Sequence, residues 1–191
     1  MTQPLKSQHN QSNDAVLKIT RMLVAISKIL VLMGLVALAI VLPVIVIFQD
    51  RIVEKMGTVF VEQPGLEVVG LIALVMLAGA IIMLLTLFAL NRLGKIVDSV
   101  SEGNPFTRIN GTRLRGMGIA VAAIQIVTLV GGLLTTGLLT MLGEVKPDQD
   151  FHITIDGGIS LNGILLFLLL IILARVFDRG AEMREELEGT I

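Results

Sequence analysis

Four stretches of this chain carry no charged residue: Ile29 to Phe48, Val68 to Leu90, Met117 to Gly143 and Gly157 to Ala174. A bilayer core about 30 Å thick is crossed by roughly 20 apolar residues in a helix, so each stretch is long enough to be a span or close to it. The sequence is 54% hydrophobic and 16% charged, with a mean hydropathy of +0.86, which excludes an ordinary soluble domain. With 191 residues divided among four spans, little remains for a second domain. The expected fold class is an all-α membrane protein, a four-transmembrane-helix bundle.

Composition also removes whole classes of chemistry. There is no cysteine, so disulfides, thiolate nucleophiles and thiolate metal sites are absent. His9 and His152 are the only histidines and cannot make a metal site without several carboxylates. No ionisable residue lies deep in any span, where proton relays and membrane enzymes place theirs. The expectation is a protein that is not an enzyme, with no catalytic residue, no cofactor and no metal.

The N-terminal residues 1–14 read as a flexible polar tail, with Asp14 a plausible cap for a helix that starts at Ala15 and enters the membrane. The rest, 15–191, reads as one membrane domain with spans near 22–48, 66–90, 117–142 and 159–177. The first apolar run is too long for a cleaved signal peptide and is read as retained. Pro43 falls near its far end, where it loosens the last turns without destroying them. Lys28 lies one turn inside the apolar boundary and can extend its ammonium back to the headgroups.

All but three of the 15 Lys and Arg residues, the exceptions being Arg51, Lys55 and Lys146, fall on the face that holds both termini and the loop between the second and third spans. The positive-inside rule places that face, and so both termini, in the cytoplasm. On the other face, TVFVE at Thr58 to Glu62 has strand character, and Phe151, Ile153 and Ile155 alternate with His152, Thr154 and Asp156. These two segments are expected to pair as a short two-stranded cap. The acidic residues Glu144, Asp148, Asp150 and Asp156 fit no calcium loop and read as a solvated loop.

Two spans overrun the membrane. After Leu90 the apolar residues Leu93, Ile96, Val97 and Val100 recur at helical spacing, so the second helix extends over 91–102, with Gly103 ending it and Asn104 and Pro105 barring continuation. Thr112 can cap the approach to the third span. The fourth helix extends over 178–188, with Arg175 and Asp178, Arg179 and Glu182, and Arg184 and Glu188 at supportive spacings. The central loop is net positive and the C-terminal extension net negative, so the two are expected to touch. On the third span, Gln125 and Thr128 are the candidate interhelical polar contact, followed by Thr135, Thr136 and Thr140. Gly118 with Ala122 offers a smooth face, which leaves homo-oligomerisation open.

The segments NRLGKIVDSVSEGNPFTRINGTRLRGMG and LARVFDRGAEMREELEGTI resemble the two diagnostic stretches of the bacterial membrane family called domain of unknown function 2975. The resemblance runs from Lys18 to the end. Its most specific parts are Gly103, Pro105 and Phe106, then Leu114 and Arg115, and finally Val176, Phe177, Gly180, Met183, Arg184, Glu185, Thr190 and Ile191. Asn104 stands where that family more often has Asp, and Met183 where it often has Leu. The resemblance implies a bacterial inner-membrane protein with no assigned reaction. Such genes often neighbour a small helix-turn-helix regulator, which implies a regulatory or sensory membrane anchor that binds a cytoplasmic helix-turn-helix transcription regulator and does not itself contact nucleic acid. The residues suited to that surface are Phe106, Arg108, Arg113, Arg115, Arg179, Gly180, Met183, Arg184 and Glu185, because aromatic and arginine side chains are favoured anchors. Two other readings stand beside it. One is a small-solute transporter or channel component, which needs Gln125 and the threonines to face a wet cavity. The other is a purely structural or lipid-interacting protein, in which Phe106 dips among headgroups and the arginines set topology and bind anionic lipid.

Overall fold

The computed structural model describes residues 5–60, 65–143 and 158–188, and the side chains of 15–60, 65–143 and 158–187. They form five helices: α1 (Leu5–Ile47), α2 (Gln49–Val59), α3 (Glu67–Ser101), α4 (Arg108–Leu142) and α5 (Leu161–Glu188). Four of these, α1, α3, α4 and α5, are long and apolar enough to cross a membrane. That pattern marks the chain as a multi-pass membrane protein. Its exposed large hydrophobic residues, among them Ile40, Leu84, Ile126, Leu133 and Leu169, are what a lipid-facing exterior requires.

The chain divides into two compact units. One comprises Met1–Leu32, Thr86–Ala122 and Asn162–Ile191; the other comprises Met33–Leu85 and Ala123–Leu161. The first unit packs around Ile96, Leu114, Met117, Leu170 and Ala174, with Leu93 and Phe177 against them. Helices α4 and α5 approach closely here. A Cβ on Gly118 would lie 3.1 Å from Ile171 Cδ1, and one on Gly111 would lie 3.3 Å from the Ala174 carbonyl oxygen. The Lys28 ammonium lies over Gly94 of α3, where a Cβ would fall 3.2 Å from Nζ.

The second unit corrects the expected two-stranded cap. Thr58 and Val59, read as the start of a strand, are the last residues of α2, and the described residues contain no strand. The reason lies upstream. Ile52, Val53, Met56 and Val59 recur at helical spacing, with Asp50, Arg51, Glu54 and Lys55 on the opposite side, so the segment is an amphipathic helix whose last turn absorbed the β-branched pair. Of the segment's described residues Phe60 alone is extended, as a single β-bridge residue, and Val61 and Glu62 lie outside the described residues. Its ring is buried with Val68 and Leu142, and Met56, Val59, Ile72 and Leu138 pack around them. The partner segment Phe151 to Asp156 lies outside the described residues, as do Glu144, Asp148 and Asp150.

Helix α1 begins at Leu5, ahead of the Ala15 start that the sequence suggests, and persists one turn past Pro43. Truncating Phe60 to Ala should cost about 3 kcal/mol, because a large aromatic is removed from a closed apolar cluster. The exposed Glu54→Ala change should stay within about 0.5 kcal/mol. Equilibrium unfolding in detergent micelles measures both; equal effects would mean that α2 is not seated on the helix ends.

Candidate interaction surface at the α3–α4 turn

The turn is built from backbone bonds that the sequence dictates locally. Gly103 has φ +78°, a conformation only glycine adopts freely, and it places the Asn104 N–H on the Ser99 carbonyl (3.0 Å) and the Gly103 N–H on the Val100 carbonyl (3.1 Å). This is the Schellman closure of a helix C-terminus, and Pro105 then prevents any return to helix. Ser99 Oγ donates to the Asn104 carbonyl at 2.7 Å, which closes the turn a second time.

Helix α4 starts sooner than expected. The Thr107 carbonyl accepts from the Asn110 and Gly111 N–H groups, so Thr107 is the residue before the helix. Thr112, read from the sequence as a cap, instead sits inside α4 and donates its hydroxyl to the Arg108 carbonyl at 3.2 Å. Two residues from the true start is Asn110, 0% exposed and the one buried polar residue among those described. Its Nδ2 donates to Ser99 Oγ and to the Pro105 carbonyl, both at 2.8 Å, and its Oδ1 accepts from Arg113 Nη1 at 2.9 Å. Arg113 Nη1 also donates to the Lys95 carbonyl at 2.9 Å. Asn110 thus ties the end of α3, the turn and the first turn of α4 into one knot.

Helix α5 lies against this knot. Arg108 Nε and Nη2 grip the two Glu185 oxygens at 3.1 and 2.7 Å, Arg115 pairs with Asp178, and Arg184 Nη1 donates to Asn104 Oδ1 at 2.8 Å. The Phe106 ring packs on Phe177, with centroids 5.3 Å apart, and covers Gly180, where a Cβ would fall 2.7 Å from Phe106 Cδ1. On the other flank, Arg21 of α1 reaches Asp98 Oδ1 at 2.9 Å and Ser101 Oγ at 2.6 Å. Arg92 holds α3 to α4 by donating to the Thr112 carbonyl at 3.2 Å while stacking 4.3 Å over Phe88.

The positive central loop and the negative extension therefore touch, through named pairs. Of the candidate residues, Phe106, Arg108, Arg115, Gly180, Arg184 and Glu185 are brought together. Arg113 is turned inward to the Asn110 knot. Arg179 pairs within α5 to Glu182 at 3.1 Å, and Met183 stays 54% exposed. Phe106 is not a free anchor: one side of its ring is spent on α5 and 45% remains exposed. Beside it, an open groove of about 360 Å³ is lined by Asn104, Phe106, Thr107, Arg108, Ala181, Arg184 and Glu185. The Glu185 carboxylate holds the Arg108 pKa above its ordinary value, already beyond any working pH, so the arginine adds no pH switch.

Sequence reasoning missed Asn110 and Asp178. Asn110 stands between Ile109 and Gly111 at the start of a helix, where an amide normally faces water, and nothing in its spacing announces burial. Spacing along α5 suggests Arg175 as the partner of Asp178, whereas Asp178 reaches across to Arg115.

The interhelical pair is placed elsewhere, in the second unit. Gln125 Nε2 donates to the Ser160 carbonyl at 2.7 Å, and its Oε1 accepts from the Ser160 N–H at 3.4 Å. The amide thus grips the single residue that precedes α5. Thr128, one turn on, is half-buried, while Thr135, Thr136 and Thr140 bond back to the carbonyls of Gly131, Gly132 and Gly137. Among the described residues no group of His, Cys, Asp and Glu is arranged to hold a metal ion.

The Arg108–Glu185 and Arg179–Glu182 ion pairs are exposed and worth at most about 1 kcal/mol each, while Asp178 is half-buried beneath Arg115. Replacing buried Asn110 leaves acceptors and a guanidinium unpaired, which costs more. Asn110→Leu should therefore lower stability by roughly 2 kcal/mol, and Glu185→Gln by less than about 1 kcal/mol, in the same unfolding assay. Reversal of that order would show the ion pairs, not the knot, to hold the turn.

No curated protein and no solved structure matches this chain. One family model does, over residues 18–191, so both the α3–α4 turn and α5 lie inside the matched region. The chain belongs to the family described as Protein of unknown function (DUF2975).

Proposed function

We propose that this protein is a non-enzymatic regulatory anchor of the bacterial inner membrane, oriented with both termini and the α3–α4 turn in the cytoplasm. There it binds a helix-turn-helix transcription regulator. The orientation rests on the excess of Lys and Arg on that side. The observation that carries the binding reading is the fixed surface where α5 is clamped to the turn by Arg108–Glu185, Arg115–Asp178 and the Phe106–Phe177 contact. A surface held in one conformation binds with less ordering cost than a free tail. The exposed face of Phe106, Met183, Arg179 and the groove beside Arg184 supply an aromatic, a thioether and cations, the side chains that dominate interface energetics. Arg113 supports the surface from within rather than contacting the partner. The partner's class comes from the family resemblance.

Orientation is read by reporter fusion. A green fluorescent protein at the C-terminus should fluoresce and alkaline phosphatase joined after Gly143 should be active; the opposite pattern inverts the topology. Partner binding is read by capture of tagged protein from native bacterial membranes, with identification of the DNA-binding proteins retained. Met183→Glu and Arg179→Glu should each lower recovery of one such protein at least about tenfold, the effect of losing a single interface anchor. Glu54→Ala, on the far side, should not. Recovery of no DNA-binding protein, or equal recovery with all three variants, refutes the reading.

A further inference from the structure

The edge of the hydrocarbon is marked on three helices at once. The uncharged stretch begins after Lys28 on α1 and after Arg115 on α4, and it ends at Leu90 on α3, just before Arg92. The Arg92 guanidinium covers Gly116, so the α3 and α4 edges are level. Gly94 stands four residues beyond Leu90, about 6 Å outside that edge. The headgroup layer beyond a 30 Å core is roughly 5–7 Å deep on each side, so the Lys28 ammonium, drawn back to Gly94, lies at the level of the lipid phosphates.

No protein anion meets it there. Lys28 is half-buried, with Val24 beside it at Gly94, and Lys95, the next residue of α3, is exposed. Neither ammonium enters an ion pair or hydrogen bond among the described residues, and the nearest acid on α3, Asp98, is held by Arg21. Asp14 and Glu188, whose side chains lie outside the described residues, stand about 20 Å away along their helices, Asp14 from Lys28 and Glu188 from Arg175 at the edge. The three residues after Glu188 span at most about 10 Å. Segments 61–64 and 144–157 join helix ends on the opposite face of the membrane.

A half-buried ammonium needs a counter-charge, and at this depth the bilayer supplies one in the phosphodiester. We infer that Lys28 and Lys95 form a binding site for the headgroup of an anionic phospholipid, seated on α3 at Gly94 beside α1. The surrounding charge selects the class of lipid. Arg92 and Arg113, the latter bonded to the Lys95 carbonyl, add positive charge in the same layer. A zwitterionic headgroup would bring its own ammonium among these cations, whereas a phosphatidylglycerol headgroup brings a phosphate and hydroxyls alone. Seven residues deeper than Lys95, on the same face of α3, Phe88 is exposed and offers apolar surface to an acyl chain. The inference needs only the membrane embedding and stands apart from the proposed partner.

The test is native mass spectrometry of the full chain in detergent micelles, titrated with dioleoyl phosphatidylglycerol or with dioleoyl phosphatidylethanolamine. Lys28→Met keeps an unbranched stem and removes the charge. Lys95→Met does the same at an exposed position, so it reads the site without disturbing packing. Lys18→Met makes the same charge change about 15 Å further out along α1 and is the control. The unaltered chain should bind one phosphatidylglycerol at least about tenfold more tightly than phosphatidylethanolamine, the combined effect of two lysines on an anionic lipid. Lys28→Met and Lys95→Met should each weaken phosphatidylglycerol binding about fivefold, and Lys18→Met less than about twofold. Equal affinity for the two lipids would overturn the site, as would a loss with Lys18→Met matching that with Lys28→Met, since both mean diffuse attraction. Displacement of phosphatidylglycerol by millimolar inorganic phosphate would reveal a site for a free anion and overturn the lipid assignment.

Discussion

A peptide group in hydrocarbon has no water to bond, and that single constraint organises this molecule. Within α1, α3 and α4 the helix answers it automatically. The ends of helices leave peptide groups that need other partners, and three of those ends show three different devices. The C-terminus of α3 folds its last carbonyls onto Gly103 and Asn104. The start of α4 is secured by Thr107 backbone bonds and by Asn110, whose amide closes the turn from inside. The start of α5 is answered by a side chain from another helix, Gln125.

These devices differ in strength, and the difference separates scaffold from surface. Asn110 is fully buried and bonded through both ends of its amide, so the turn it holds is fixed. The Arg108–Glu185 pair between α4 and α5 is exposed, screened by salt and weak. The Phe106 and Phe177 rings and the close approach at Gly180 supply the apolar contact that those charges guide into register. The result is a rigid turn bearing a helix held by contacts that charge and salt can tune, which is a suitable construction for a docking surface.

Much of the architecture was legible in the residues. The uncharged stretches mark the helices because nothing else crosses hydrocarbon in this form, and the Gly103–Asn104–Pro105 run marks the turn because its conformations are local. The attraction between a basic loop and an acidic extension was legible too, since charge complementarity acts at any geometry that brings them near. Illegible were Thr58 and Val59, whose β-branched pair imitates a strand while the preceding amphipathic turns keep them helical. Their choice depends on whether Phe60 can reach Val68 and Leu142, residues distant along the chain.

The sequence by itself determined that the chain belongs in a membrane, which segments are long and apolar enough to cross it, and where the charges at their ends lie, because length, hydropathy and Gly–Pro stereochemistry are properties of short segments. Only the tertiary structure decided which polar residues matter. Asn110 is a knot rather than a surface amide, Asp178 is a cross-helix partner rather than an intrahelical one, and Gln125 grips the residue ahead of α5. Each of those roles is set by a partner far away in sequence, and burial with its hydrogen-bond demands exists only once the helices have met.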